Sequence, residues 1–108
     1  MSGRRVVVTG IGTINPLGHN IEEFFSNLEN GVSGAAPITR FNAEKFKTTF
    51  ACEVKNYDPA QYFDRKEIRL YDLYTQFALI AAKQAVEDAK IDLDSIDILF
   101  CCFAPGGM

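Results

Sequence analysis

A single histidine, His19, and three cysteines, Cys52, Cys101 and Cys102, are all the soft-ligand chemistry carried by these 108 residues. One histidine is too few for a metal site of the usual Cys/His spacing. An odd cysteine count, with Cys101 and Cys102 adjacent, argues against a disulfide framework and for free thiols in a reducing cytoplasm. Long apolar runs are also lacking, and none approaches the ~20 residues that span a bilayer. Arg4 and Arg5 are basic, but only Val6, Val7 and Val8 follow, too few for a secretory signal. Cationic excess is missing as well. Eleven basic residues stand against 14 acidic ones, a net charge of −3, so neither nucleic acid nor a membrane is an expected partner. What remains, 47% hydrophobic and 23% charged, is the composition of an ordinary soluble chain of one domain at most.

The opening run, from Arg4 to Gly18, carries the most information. Val6-Val7-Val8 is stiff at χ1 and suits a strand, and an unbroken apolar run suits one buried on both faces of a parallel sheet. Gly10 and Gly12 permit a turn or a close backbone approach, while Pro16 and Gly18 stop the extended run. Asn20 with Glu23 has capping-box spacing, and Ile21, Phe24, Phe25 and Leu28 then fall on one helical face, closed by Asn30-Gly31. Ser33 to Pro37 is small and irregular. Thr48 to Val54 reads as a short strand, and Asp58-Pro59 starts a turn or one helical turn through Tyr62.

Asp64 and Glu67 repeat the capping-box spacing and open the strongest helical signal, Arg65 to Lys90, with a break expected near Asp72. Leu73, Tyr74, Phe77, Ile80 and Ala81 form one apolar face, and Ala78, Ala82, Ala85 and Ala89 a neighbouring small one. An arc this wide predicts a core helix. Ile98 to Phe103 reads as a further strand. The predicted order, β-α-β-α-β, requires helical crossovers and so an α/β layer.

Candidate chemistry is sparse. Gly10-Ile11-Gly12 lacks the third glycine of a dinucleotide fingerprint, since Asn15 stands there, and the helix starts too late to receive a phosphate. A structural turn is the better reading. His19 reads as a surface loop residue, Cys52 as an inert thiol beside Glu53, and Cys101 and Cys102 as small core residues. Arg65, Lys66 and Arg69 form the one compact basic cluster. It is either a solvated face paired locally with Asp64 and Glu67, or a dock for an acidic partner.

Several separated segments, in order, resemble the β-ketoacyl-acyl-carrier-protein synthases, the condensing enzymes of fatty-acid synthesis in the thiolase-like superfamily. The opening string Arg4 to Gly18 is similar to their amino-terminal signature. Gly31-Val32-Ser33-Gly34 resembles their Gly-x-Ser-Gly. Phe50-Ala51-Cys52-Glu53-Val54 resembles Phe-Ala-Gly-x-Val, with Cys52 in place of glycine. Arg65-Lys66-Glu67-Ile68-Arg69, Tyr71-Asp72 and the alanine-rich helix complete a match from about residue 4 to 97, most similar to the elongating synthases with a cysteine nucleophile.

The resemblance implies an α/β, thiolase-like fold of αβαβα layers, of which residues 1–108 are the amino-terminal part only. It implies a homodimeric parent with neither metal nor redox cofactor. The implied reaction is a decarboxylative Claisen condensation of acyl and malonyl thioesters carried on acyl carrier protein. The cysteine turn and two histidines of that reaction fall beyond this chain, and none of its own cysteines or His19 matches them, so no catalytic residue is assigned and the chain alone is expected to be inactive. Lys66 and Arg69, with Arg65 beside them, match positions implied to contact the carrier, whereas Leu70 replaces a basic residue common there. Residues 98–108 depart from the expected Arg-Ile-Gly strand and glycine-rich turn, although Gly106-Gly107 echo the latter. The alternatives are a non-catalytic carrier-binding or dimerisation module, or a truncated piece without activity.

Overall fold

Gly10 and Gly12 let the opening segment lie directly on the backbone of the long helix over residues 73–89. The computed structural model describes residues 3–95. In chain order its elements are helix α1 (Ile21–Glu29), strands β1 (Ala36–Pro37) and β2 (Phe50–Ala51), a 3-10 turn at Pro59–Gln61, helices α2 (Arg65–Leu70) and α3 (Leu73–Ala89), and a 3-10 turn at Leu93–Ser95. The expected strand Ile98 to Phe103, with Cys101, Cys102 and Gly106-Gly107, lies outside the described residues.

The opening segment runs along α3 with its two glycines on the alanine face. A Cβ built on Gly10 would meet the Ala85 carbonyl and lie 2.5 Å from the Ala89 nitrogen. One on Gly12 would meet the Ala81 carbonyl and lie 2.7 Å from the Ala85 nitrogen. Two residues of extended chain span about 6.6 Å and four helical residues about 6 Å, so the two repeats stay in step. Polar side chains of α3 lock the register. The Ile11 N–H donates to Asp88 Oδ2 at 3.0 Å, and the Thr13 N–H to Gln84 Oε1 at 3.1 Å. Gln84 also donates from Nε2 to the His19 carbonyl at 2.6 Å, so one side chain holds both ends of the connection into α1.

The caps follow the sequence closely. Asn20 Oδ1 accepts from the Glu23 N–H, but Glu23 returns its carboxylate to the His19 N–H, one residue earlier than the expected box. α1 closes as a Schellman motif: Gly31 at φ +68° donates to the Leu28 carbonyl and Val32 to that of Asn27. At Asp64 the complete capping box forms. The long helical signal breaks where expected, with Asp72 at the start of α3.

The strand expectations are corrected. Val6, Val7 and Val8 are 93%, 66% and 82% exposed, and no strand forms at that run. A strand is defined by hydrogen bonds to a neighbour, and none is present for this run among the described residues. The parallel layer is likewise not formed there. Among the described residues the one sheet is an antiparallel pair, Ala36 opposite Ala51 and Pro37 opposite Phe50, so the stretch read as irregular supplies a strand. Of Thr48 to Val54 only Phe50–Ala51 joins it. One further ladder bond runs from the Ile38 N–H to the Thr49 carbonyl at 3.0 Å, and the Thr39 N–H donates to the Glu53 carboxylate.

The core helix is also only half realised. Among the described residues, Ala43, Ile80 and Gln76 are buried, while Tyr74 and Ala82 are exposed. The chain exposes 9434 Å², against about 6,000 Å² for a folded monomer of its mass.

Candidate functional site

Asp58 starts the approach to the site. Its carboxylate accepts from the Ala60 N–H, and Pro59, preset for a first helical position, turns the chain through Gln61. Two residues after Tyr62, Asp64 Oδ1 accepts from the N–H groups of Lys66 and Glu67, and Glu67 Oε2 accepts from the Asp64 N–H. These bonds satisfy donors that the first turn of a helix leaves unpaired, and they place both carboxylates at the start of α2.

That geometry leaves the basic cluster without a local carboxylate partner among the described residues. Arg65, Lys66 and Arg69 are exposed, and the one ion pair among the described residues is Arg40 with Glu53, 3.9 Å apart. The carboxylates that could have neutralised the cluster are turned to backbone amides. At 100° per residue, Arg65, Arg69 and Lys66 fall on one side of the helix and Glu67 on the other. α2 therefore presents a cationic face to solvent, suited to an acidic surface.

The rest of the site braces that short helix against α3. Gln76, buried, donates from Nε2 to the Tyr71 carbonyl at the end of α2 and accepts from the Tyr57 hydroxyl at 2.6 Å. Tyr57 packs edge-on to Phe77 at 4.9 Å and stacks on Tyr62 at 6.0 Å, while Phe63 meets Tyr71 edge-on. Burial, reinforced by Tyr62 and Asp58, raises the Tyr57 hydroxyl pKa above its usual value and keeps it a donor. A groove of about 510 Å³ runs between α2 and α3, with Tyr62, Phe63, Tyr71, Leu79 and Lys83 on its walls.

Sequence reasoning missed Gln76, although a signal existed: it stands at helical spacing between Leu73 and Ile80, a polar side chain on the apolar face. It also missed Lys55. Its ammonium donates to the carbonyls of Gly34 at 2.6 Å, Glu53 at 3.4 Å and Pro16 at 3.5 Å, tying three loops together. Nothing local in the sequence marks that role, because all three acceptors are backbone.

The other candidates form no reactive pair. His19 is half-buried, not fully exposed, and its Nε2 lies 2.6 Å from the Lys55 carbonyl. A carbonyl only accepts, so Nε2 carries the proton and is not a free base. Cys52 is an exposed free thiol just past β2. Among the described residues no group of three or more His, Cys, Asp or Glu could hold a metal ion, and no helix is long and apolar enough to cross a membrane. Gly10 and Gly12 face α3, where the structural reading of that pair placed no phosphate.

Solved structures with this arrangement are ketosynthases. The ishigamide ketosynthase/chain length factor superposes with a TM-score of 0.69 at 38% identity, over 88% of this chain and 24% of its own. A type II PKS ketosynthase in complex with its acyl-carrier protein superposes at 0.61 and 21% identity, over 84% of this chain and 23% of its own, a likeness of fold. The sequence narrows the class: the family described as "Beta-ketoacyl synthase, N-terminal domain" matches residues 3–101, and the chain belongs to it. The 3-oxoacyl-[acyl-carrier-protein] synthase 2 of Coxiella burnetii is 45% identical over 94 residues, 87% of this chain, and that of Synechocystis 40% over the same length. The chain spans about 23% of each of these relatives.

Proposed function

We propose that this chain is the amino-terminal portion of a 3-oxoacyl-[acyl-carrier-protein] synthase and contributes the carrier dock rather than the chemistry. The reaction of the whole would be the condensation of an acyl thioester with a decarboxylated malonyl thioester. Its cysteine nucleophile and two histidines belong to the family's later segments. Here Cys52 and His19 match neither role, so this chain supplies no reacting group. It supplies one flank of an αβαβα scaffold, in a homodimeric cytoplasmic parent, and positions the carrier against it.

The observation that carries this reading is the cationic face of α2. Lys66 and Arg69, with Arg65 at the margin, stand exposed while the neighbouring carboxylates cap the backbone. The solved ketosynthase with its acyl-carrier protein supports a carrier as the partner. Electrostatic docking of this kind speeds encounter and sets orientation more than it adds affinity.

Titration of purified acyl carrier protein into the chain tests the assignment. Binding at low salt, weakened at least tenfold by the double variant Lys66→Glu and Arg69→Glu, is the expected result. Binding unchanged by the charge reversal would overturn the dock. Release of condensed product by this chain alone would contradict the assignment of the reacting groups to later segments.

A further inference from the structure

Resting on the dock just proposed, we infer that Leu70 is an apolar anchor within it, and that the partner is an acidic protein surface with an apolar recess beside its charges. Leu70 is 75% exposed at the last position of α2. Isolated exposed leucines are common and carry no meaning alone. This one sits four residues after Lys66 and so beside it on the helix surface. In order around the helix, Arg65, Arg69, Lys66 and Leu70 cover an arc of about 140°. Three cations therefore end in one apolar shoulder, beyond which lies Glu67, its carboxylate held in the capping box with Asp64.

Such a face recognises differently from a purely basic one. Cations steer an acidic partner and fix its approach, and their attraction fades once salt shortens the screening length. A leucine gains nothing from charge but contributes by leaving water, a term that salt does not screen. An acidic surface without a recess would leave Leu70 in water. An apolar surface without acid would leave three cations unpaired. The chemistry on α2 fits a partner with both, the acyl carrier protein of the proposed dock.

Calorimetric titration of purified acyl carrier protein, at about 0.1 M and about 1 M salt, where the screening length falls from roughly 10 Å to 3 Å, separates the two terms. The unchanged chain is expected to retain measurable binding at the higher salt. Leu70→Ser should weaken binding roughly tenfold at both salts. Leu70→Lys should bind at least as well at low salt and lose that binding at high salt. Leu70 is exposed and outside the core, so both variants should keep the parent's far-UV circular dichroism. Equal binding of Leu70→Ser and the unchanged chain at both salts would overturn the anchor and leave the dock standing, provided Lys66→Glu with Arg69→Glu still weakens it. If that charge reversal has no effect, the dock itself falls and the anchor with it.

Discussion

A Cβ on Gly12 would lie 2.7 Å from both the Ala85 nitrogen and the Gln84 Cβ, with no flexible side-chain tip to give way, whereas a Cβ on Gly31 would meet open space. The second glycine is required by its φ of +68°, not by crowding. Gly12→Ala should therefore destabilise by about 2 kcal/mol or more, through forced separation of segment and helix. Gly31→Ala should cost about 1 kcal/mol, the strain of a left-handed non-glycine residue. Urea denaturation followed by circular dichroism ranks the two, and the reverse order would contradict the packing. Glu53 gives a pH-dependent counterpart. Its carboxylate accepts from the Thr39 hydroxyl at 2.8 Å and from the Thr39 N–H, with the Arg40 guanidinium nearby, and these hold its pKa below the usual 4.5. A lowered carboxylate stabilises the fold above its unfolded pKa and loses that contribution as pH falls through the folded value. The midpoint should therefore drop on acidification below about pH 4.5 and do so less in Glu53→Gln, which lacks the titrating group. Equal acid sensitivity of the two would contradict the assignment.

At the scale of elements, the helices were legible because their signals are local. Asp64, Glu67, Asn30 and Gly31 each act within a few residues of themselves, and Asp72 stands at the start of α3 without a side-chain cap bond. Asp64→Ala should leave the Lys66 and Glu67 amide donors without their shared acceptor, at a cost of about 1 kcal/mol localised to α2. Faster amide exchange at Lys66 and Glu67, with α3 unchanged, is the expected signature. The strands were not legible in the same way. Val6 to Val8 has every local property of a strand, but a strand needs a partner's amides and carbonyls, and sequence does not say where those are. Glu53 likewise finds its partner, Thr39, fourteen residues away. Of the candidate site, the cations were readable and their freedom was not, because the choice of Asp64 and Glu67 between side-chain and backbone partners is settled only by geometry. Gln76 and Lys55 escaped because their partners are distant carbonyls and a tyrosine hydroxyl.

Taken whole, the molecule is organised by one contact between layers rather than by a closed core. Ala43 and Ile80 are the buried apolar side chains among the described residues, and the exposed valines at positions 6–8 continue from the segment that Gly10 and Gly12 lay on α3. That contact also orients α2, since α3 carries both the alanines beneath the segment and the Gln76 that grips the end of α2. The cationic face of α2 is braced on α3 through Gln76, and α3 also receives the glycine segment. Nuclear Overhauser contacts from the α-protons of Gly10 and Gly12 to the methyls of Ala81, Ala85 and Ala89 test the arrangement most directly. The expected pattern is antiparallel, Gly12 to Ala81 and Ala85, Gly10 to Ala85 and Ala89. Absence of those contacts in a chain whose α3 is helical would contradict it.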